Sequence, residues 1–190
     1  HLGLACEWTE CDILHGATRT PEFLARNPNG RIPLLELDDG TCIAESNAII
    51  WYLAEGSPLV PYERLARAQV LQWMFFEQYS HEPYVATPRY IVKHLPVGSP
   101  RRAELPDRLE RGRAAFTVME RHLTTRRFFV GERYTIADIS LYAYSHVAHE
   151  GGNDLAPFPH VRAWLDRVAD QPGHRPLTAR PVGKAPLATR

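Results

Sequence analysis

The chain has 190 residues, 44% of them hydrophobic and 23% charged, enough to bury a sizeable core in one large domain or two small ones. Lys plus Arg and Asp plus Glu both total 22, so the charge balance carries no electrostatic footprint for nucleic acid or an anionic membrane surface. No apolar run reaches transmembrane length, and the three cysteines, Cys6, Cys11 and Cys42, cannot all pair and form no C-x-x-C, which excludes an even disulfide framework and favours a reducing, cytoplasmic setting.

In chain order, Leu2-Gly3-Leu4 reads as the last turn and C-cap of a helix begun earlier, and residues 5–12 read as a strand. Thr20 as N-cap and Pro21 in the first turn open a short helix that stops before Asn27-Pro28. Asn27-Pro28-Asn29-Gly30-Arg31-Ile32-Pro33-Leu34-Leu35 then reads as a turn leading into a strand. Pro33 has no N–H for a ladder bond, so it marks either an exposed strand start or a cis bond that turns the chain. Either geometry leaves the Ile32 main chain free to pair with an extended, peptide-like ligand. Asp38-Asp39-Gly40-Thr41 supplies a hairpin turn, and the returning strand hands over at Glu45-Ser46 to a helix carrying Ile49, Trp51, Tyr52 and Leu53 as packing residues. Ser46 is expected as the N-cap of that helix, whose first N–H groups offer donors to a carboxylate. A strand edge beside such a cradle suits a small peptide with free carboxylates.

Gly56-Ser57-Pro58 through Pro61 breaks the pattern, so a linker is placed at residues 56–62 between a first domain at 1–55 and an all-helical one at 63–175. Leu71, Met74, Phe75 and Gln78 define the stripe of a helix that is expected to end in Ser80-His81-Glu82-Pro83. Leu109, Gly112, Phe116, Met119 and Leu123 recur at steps of three and four, a clean amphipathic pattern, and Val161, Trp164, Leu165 and Val168 mark another helix. Thr135-Ile136-Ala137-Asp138 is a capping box, with Tyr134 and Ile139 placed as a hydrophobic staple, before a nearly apolar helix running to about Val147. Its role is stability, and Asp138 is not a catalytic candidate. Residues 176–190 read as a Pro-rich, poorly packed tail. His146, His149 and Glu150 have neither the H-E-x-x-H spacing nor its inverse, and no further ligand is evident, so no metal site is expected there.

Asn-Pro-x-Gly-Arg-Ile-Pro-x-Leu, then Glu-Ser before Ile-x-Tyr-Leu, then Gly-x-x-x-Thr-x-Ala-Asp at Gly131 to Asp138, together resemble the cytosolic, bacterial-type glutathione S-transferases over about residues 2–174. The resemblance implies an α/β thioredoxin-like N-terminal domain, incomplete as it stands because the first strand and most of the first helix would precede His1, followed by an all-α bundle. It implies glutathione as co-substrate, with no permanently bound cofactor, and a homodimer that conjugates the glutathione thiolate to a small electrophile. Ile32 before cis-Pro33 would pair with the cysteinyl part of glutathione, and Glu45 and Ser46 would hold its γ-glutamyl end. Thr18, Arg19 and Arg31 fall at or beside positions that meet the glycyl end, with Arg31 preferred for its carboxylate. Tyr79, Tyr84 and Arg89, clustered with His81 and Glu82, would wall the electrophile pocket, although core aromatics and a solvated charge pair account for them as well. The thiol-activating Ser, Tyr or Cys would lie upstream of His1, and nothing matches Tyr52, Tyr79 or Tyr84 to that role. Two alternatives use the same pattern: a glutathione-dependent disulfide reductase, and a non-catalytic transferase-like module in protein assembly.

Overall fold

The computed structural model describes residues 1–177 and 179, which divide into two compact units, His1–Glu55 together with the described residues after 174, and Gly56–His174. The tail expected over residues 176–190 lies outside the described residues except at Pro176, Leu177 and Ala179.

In the first unit, Thr20 caps helix α1 (Pro21–Arg26), its hydroxyl accepting the Phe23 N–H at 3.2 Å, and Pro21 occupies a position where no intrahelical N–H is required. Strands β1 (Leu34–Glu36) and β2 (Cys42–Ala44) pair antiparallel, with Leu34 opposite Ala44 and Glu36 opposite Cys42. Their turn closes through Leu37 N–H to Thr41 O at 2.9 Å and through the Asp39 carboxylate, which accepts the Thr41 N–H at 2.8 Å. Helix α2 (Ser46–Ala54) follows at once.

Two expectations for this unit are corrected. Residues 5–12 form no strand and Leu2-Gly3-Leu4 no helix end; this stretch carries no regular structure and is almost wholly exposed. A strand exists only as one side of a ladder, and β1 and β2 satisfy only each other among the described residues. Ser46 is the first helical residue rather than the cap, because Glu45 occupies the cap position and already offers its carbonyl to the Ile49 N–H at 3.0 Å.

The second unit is helical: α3 (Arg64–Phe76), a π turn (Glu77–His81), α4 (Glu82–His94), α5 (Leu105–Leu123), α6 (Ile136–Ser145) and α7 (Pro159–Ala169). The helix expected to stop at Ser80–Pro83 instead runs on, since the π turn takes up the interruption and Pro83 falls in the first turn of α4, where its missing N–H costs nothing. The buried face of α3 is Val70, Trp73 and Met74, continued by Glu77 in the π turn, while Leu71 and Phe75 face outward. The expected stripe was therefore one residue out of phase: Trp73 turns inward to pack its ring 4.6 Å from both Phe129 and His122.

The core gathers Phe116, Met119, Phe129, Ile136, Leu141, Val161 and Trp164, each 2% exposed or less. The α5 stripe buries as its spacing predicts, apart from Leu109, which is half-buried. Gly112 lets α5 approach closely: a Cβ there would lie 2.8 Å from the Tyr84 carbonyl oxygen. At the entrance to α6, the Asp138 carboxylate accepts from the Thr135 N–H at 2.9 Å, the Thr135 hydroxyl at 3.1 Å, the Phe129 N–H at 3.1 Å and the Trp164 indole at 3.0 Å. The box thus ties together the loop before α6, α6 itself and α7. Burial pushes the Asp138 carboxyl up to about 6 even though every one of these donors pulls the other way.

Candidate functional site

The hairpin register builds the site. Because Leu34 stands opposite Ala44, the dipeptide before β1, Ile32-Pro33, and the dipeptide after β2, Glu45-Ser46, emerge side by side at one end of the sheet. The Ile32–Pro33 bond is cis. Ile32 is 46% exposed, and neither its N–H nor its C=O has a hydrogen-bond partner among the described residues. A peptide unit so placed can pair with the main chain of an extended ligand.

Glu45 enters α2 at φ 69°, ψ 116°, and is the one non-glycine residue at positive φ among the described residues. Such a backbone is costly for a residue with a Cβ and persists only where its surroundings impose it. The Glu45 side chain is exposed, and Asn29 Nδ2 donates to its Oε1 at 3.2 Å. Ser46 is also exposed, with its hydroxyl unpartnered among the described residues. The assembly offers a carboxylate for a cationic group and helix-start donors for an anionic one.

The turn that supports this end is organised by Asn27, which is 3% exposed. Its side chain accepts the Asn29 N–H at 3.1 Å and donates to the Arg31 carbonyl at 2.7 Å, while its main chain binds Phe23 O and the Gly30 N–H, each at 2.9 Å. Of the residues expected near the glycyl end, Thr18 is buried in the short turn Ala17–Arg19. Arg19 Nη1 donates to the Asn29 carbonyl at 3.3 Å, so it braces the turn from within. Arg31 is exposed, and its guanidinium has no partner among the described residues. The sequence pointed to Ile32, Pro33, Glu45 and Ser46 but passed over Asn27 and Asn29. An Asn-Pro-Asn-Gly run is explained by turn formation alone, and its composition gives no sign of a buried amide or of a contact sixteen residues away.

In the second unit each of the expected electrophile residues has its own surroundings. Tyr79 is 84% exposed. Tyr84 lies under Arg111 of α5, whose guanidinium carbon is 5.5 Å from the ring centroid. Arg89 donates to Glu150 at 2.6 Å, and Lys93 shares the same carboxylate at 2.9 Å, holding it down at about 2. Glu150 is thereby committed to an ion-pair network, while His146 Nδ1 lies 2.8 Å from the Tyr142 carbonyl oxygen. His81 is fully buried, its Nε2 2.9 Å from the Ser145 hydroxyl, and burial pulls it down to about 3, leaving a neutral ring. Buried Glu77 accepts from the Ser140 hydroxyl at 3.2 Å. A cavity of about 340 Å³ lies against α5, lined among others by Leu109, Arg113, Phe116 and Asn153, and none of Tyr79, Tyr84 and Arg89 lines it.

A family model described as the N-terminal domain of glutathione S-transferase matches residues 1–55, and one described as its C-terminal domain matches residues 72–172. A solved glutathione S-transferase from Pseudomonas fluorescens is 54% identical, with a TM-score of 0.90 over 94% of this chain and 89% of that one. The structure of Ure2p in complex with glutathione is 25% identical, with a TM-score of 0.79 over 90% of this chain and 81% of that one. Elongation factor 1-gamma from Equus caballus is 34% identical over 162 residues, which is 83% of this chain and 36% of the relative. The chain thus spans about a third of the length of the curated relatives it matches.

Proposed function

Because the chain belongs to the glutathione S-transferase family, with a thioredoxin-like N-terminal domain and a helical C-terminal domain, we propose that it binds glutathione and conjugates it to a small electrophile. The observation that carries the reading is the register that brings Ile32-Pro33 beside Glu45-Ser46, with the Ile32 main chain unpartnered among the described residues. The cysteinyl peptide unit of glutathione pairs with Ile32, and the γ-glutamyl ammonium meets the Glu45 carboxylate. The γ-glutamyl carboxylate takes the Ser46 hydroxyl and the first N–H groups of α2, and the glycyl carboxylate meets Arg31. The thiolate sulfur then attacks the electrophilic carbon, a carbon–sulfur bond forms, the leaving group departs with its electron pair, and the thiol proton passes to solvent. The protein's part is orientation and electrostatics, since a thiolate is already a strong nucleophile. The group that stabilises the thiolate is assigned to none of Tyr52, Tyr79 and Tyr84.

For the electrophile, Tyr79 is unencumbered, whereas Tyr84 and Arg89 would act by giving up their contacts to Arg111 and Glu150. A cytoplasmic homodimer is part of the reading. Leu71 and Phe75, one helical turn apart on α3 and 36% and 68% exposed, supply an apolar surface that supports it. Retention on a glutathione matrix tests the site: the wild type is retained, and Glu45→Ala with Ser46→Ala is not. Equal retention of the double variant would sink the assignment.

The similarity to an elongation factor, a protein not named as a transferase, favours a second reading in which the chain recognises glutathione without turning it over and serves in protein assembly. Conjugation of glutathione to a chloronitrobenzene separates the two. Turnover abolished by the double variant supports the enzyme, and matrix retention with no turnover supports the module.

A further inference from the structure

Resting on the reading that Glu45 receives the ammonium of bound glutathione, we infer that Asn29 is a positioning residue for that carboxylate, with Arg19 bracing it from behind. The turn of residues 27–31 then becomes a determinant of amino-group recognition.

An exposed glutamate has three side-chain torsions, and a ligand that had to freeze them would bind less tightly. Here one contact does so beforehand: Asn29 Nδ2 donates to Glu45 Oε1 at 3.2 Å. Glu45 Oε2 has no partner among the described residues. The carboxylate is thus divided, one oxygen held by the protein and the other left for a cationic donor. An amide suits this task, because it restrains the carboxylate without cancelling its charge, whereas a lysine or arginine at the same place would compete with the ligand's ammonium.

Asn29 is itself fixed on both sides of its Cα. Its N–H donates to Asn27 Oδ1 at 3.1 Å, and its carbonyl accepts from Arg19 Nη1 at 3.3 Å. The Arg19 guanidinium also fills the space over Gly30, where an added Cβ would lie 2.5 Å from Nη1, and Gly30 stands at φ 62°. Any side chain at that position would displace the arginine. Arg19, Asn29 and Glu45 therefore form one chain of contacts within the first unit, running from the short turn before α1 to the entrance of α2.

Calorimetric titration of the full chain with glutathione, and with a deaminated analogue in which hydrogen replaces the γ-glutamyl amino group, tests the inference. The wild type prefers glutathione. Asn29→Ala weakens glutathione by about three- to tenfold, the net worth of an ordinary hydrogen bond, and leaves the analogue's affinity unchanged. On a Glu45→Gln background the same substitution has no further effect. The Asn29 side chain is exposed, and its main-chain contacts survive truncation, so the variant retains the fold. Equal losses for both ligands, or an unchanged affinity for glutathione, would overturn the inference while leaving the glutathione site in place. A wild type that binds neither ligand would overturn the site reading and the inference with it.

Discussion

Glu45 and Asp138 both stand at the entrance to a helix, α2 and α6, yet the chain treats them in opposite ways. Asp138 is fully buried, and donors from the Phe129 main chain, the Trp164 indole and both the N–H and hydroxyl of Thr135 converge on its two oxygens. Glu45 is exposed, sits on a backbone at φ 69°, and has a single side-chain donor among the described residues, Asn29. A polar group whose every lone pair is occupied inside the fold has nothing left to offer a ligand. One held on a strained backbone with an oxygen to spare can still take a donor from outside the fold, which is the role proposed for it and for the turn beside it.

The comparison is broken most directly at Asp138. Asp138→Ala strands the Trp164 indole, the Phe129 N–H and the Thr135 N–H in the interior, and is expected to destabilise the protein by about 3–5 kcal/mol in guanidinium denaturation. A loss below about 1 kcal/mol would mean the box is decorative. The same carboxyl predicts a pH dependence. Its folded value, raised to about 6 by burial, lies above the ordinary carboxylate range, so the folded state keeps the proton that the unfolded chain releases near pH 4. Its contribution to stability is full below about pH 4, falls as pH rises through the window from about 4 to 6, and is flat above, a change of about 2–3 kcal/mol. Asp138→Asn removes that slope; a variant whose stability in this window tracks the wild type would refute the assignment.

What the sequence made legible follows the same division. The Thr135–Asp138 box could be read because its logic is local: cap, spacing and apolar helix lie within a few residues of each other. Ile32-Pro33 and Glu45-Ser46 were legible as an ordered pair flanking a hairpin, and the register joined them. Residues 5–12 were misread because strand formation depends on a neighbour that the sequence window does not contain. The face of α3 was misplaced by one residue because Glu77, a carboxylate 3% exposed, reads as surface on any hydropathy argument, while Phe75, 68% exposed, reads as core. Asn27 and Asn29 were hidden by their own suitability for turns.

The next effect is smaller and separates stability from function. Glu45→Gly relieves the backbone at positive φ and is expected to stabilise the protein by about 1 kcal/mol while abolishing retention on a glutathione matrix. Opposite signs in the two measurements are the signature of a residue held for a ligand, and no substitution at Asp138 should give them. If Glu45→Gly destabilises the fold, the strain is not stored at that residue and the contrast with Asp138 loses its basis.

The smallest expected effect is at Thr20, which caps α1 much as Thr135 caps α6 but from an exposed position. Thr20→Ala frees the Phe23 N–H to solvent rather than to an apolar interior, so it should cost only about 0.5–1 kcal/mol. The far end of α1 remains tied by the Asn27 N–H to the Phe23 carbonyl at 2.9 Å, and Asn27 organises the following turn with its own side chain. Fraying of the first turn should therefore stop before Asn29, leaving glutathione affinity within about twofold of wild type, a difference of under ~0.5 kcal/mol. A large loss of affinity in Thr20→Ala would mean that the helix, and not the buried Asn27 amide, holds the turn in place, and the positioning role would pass from the turn to α1.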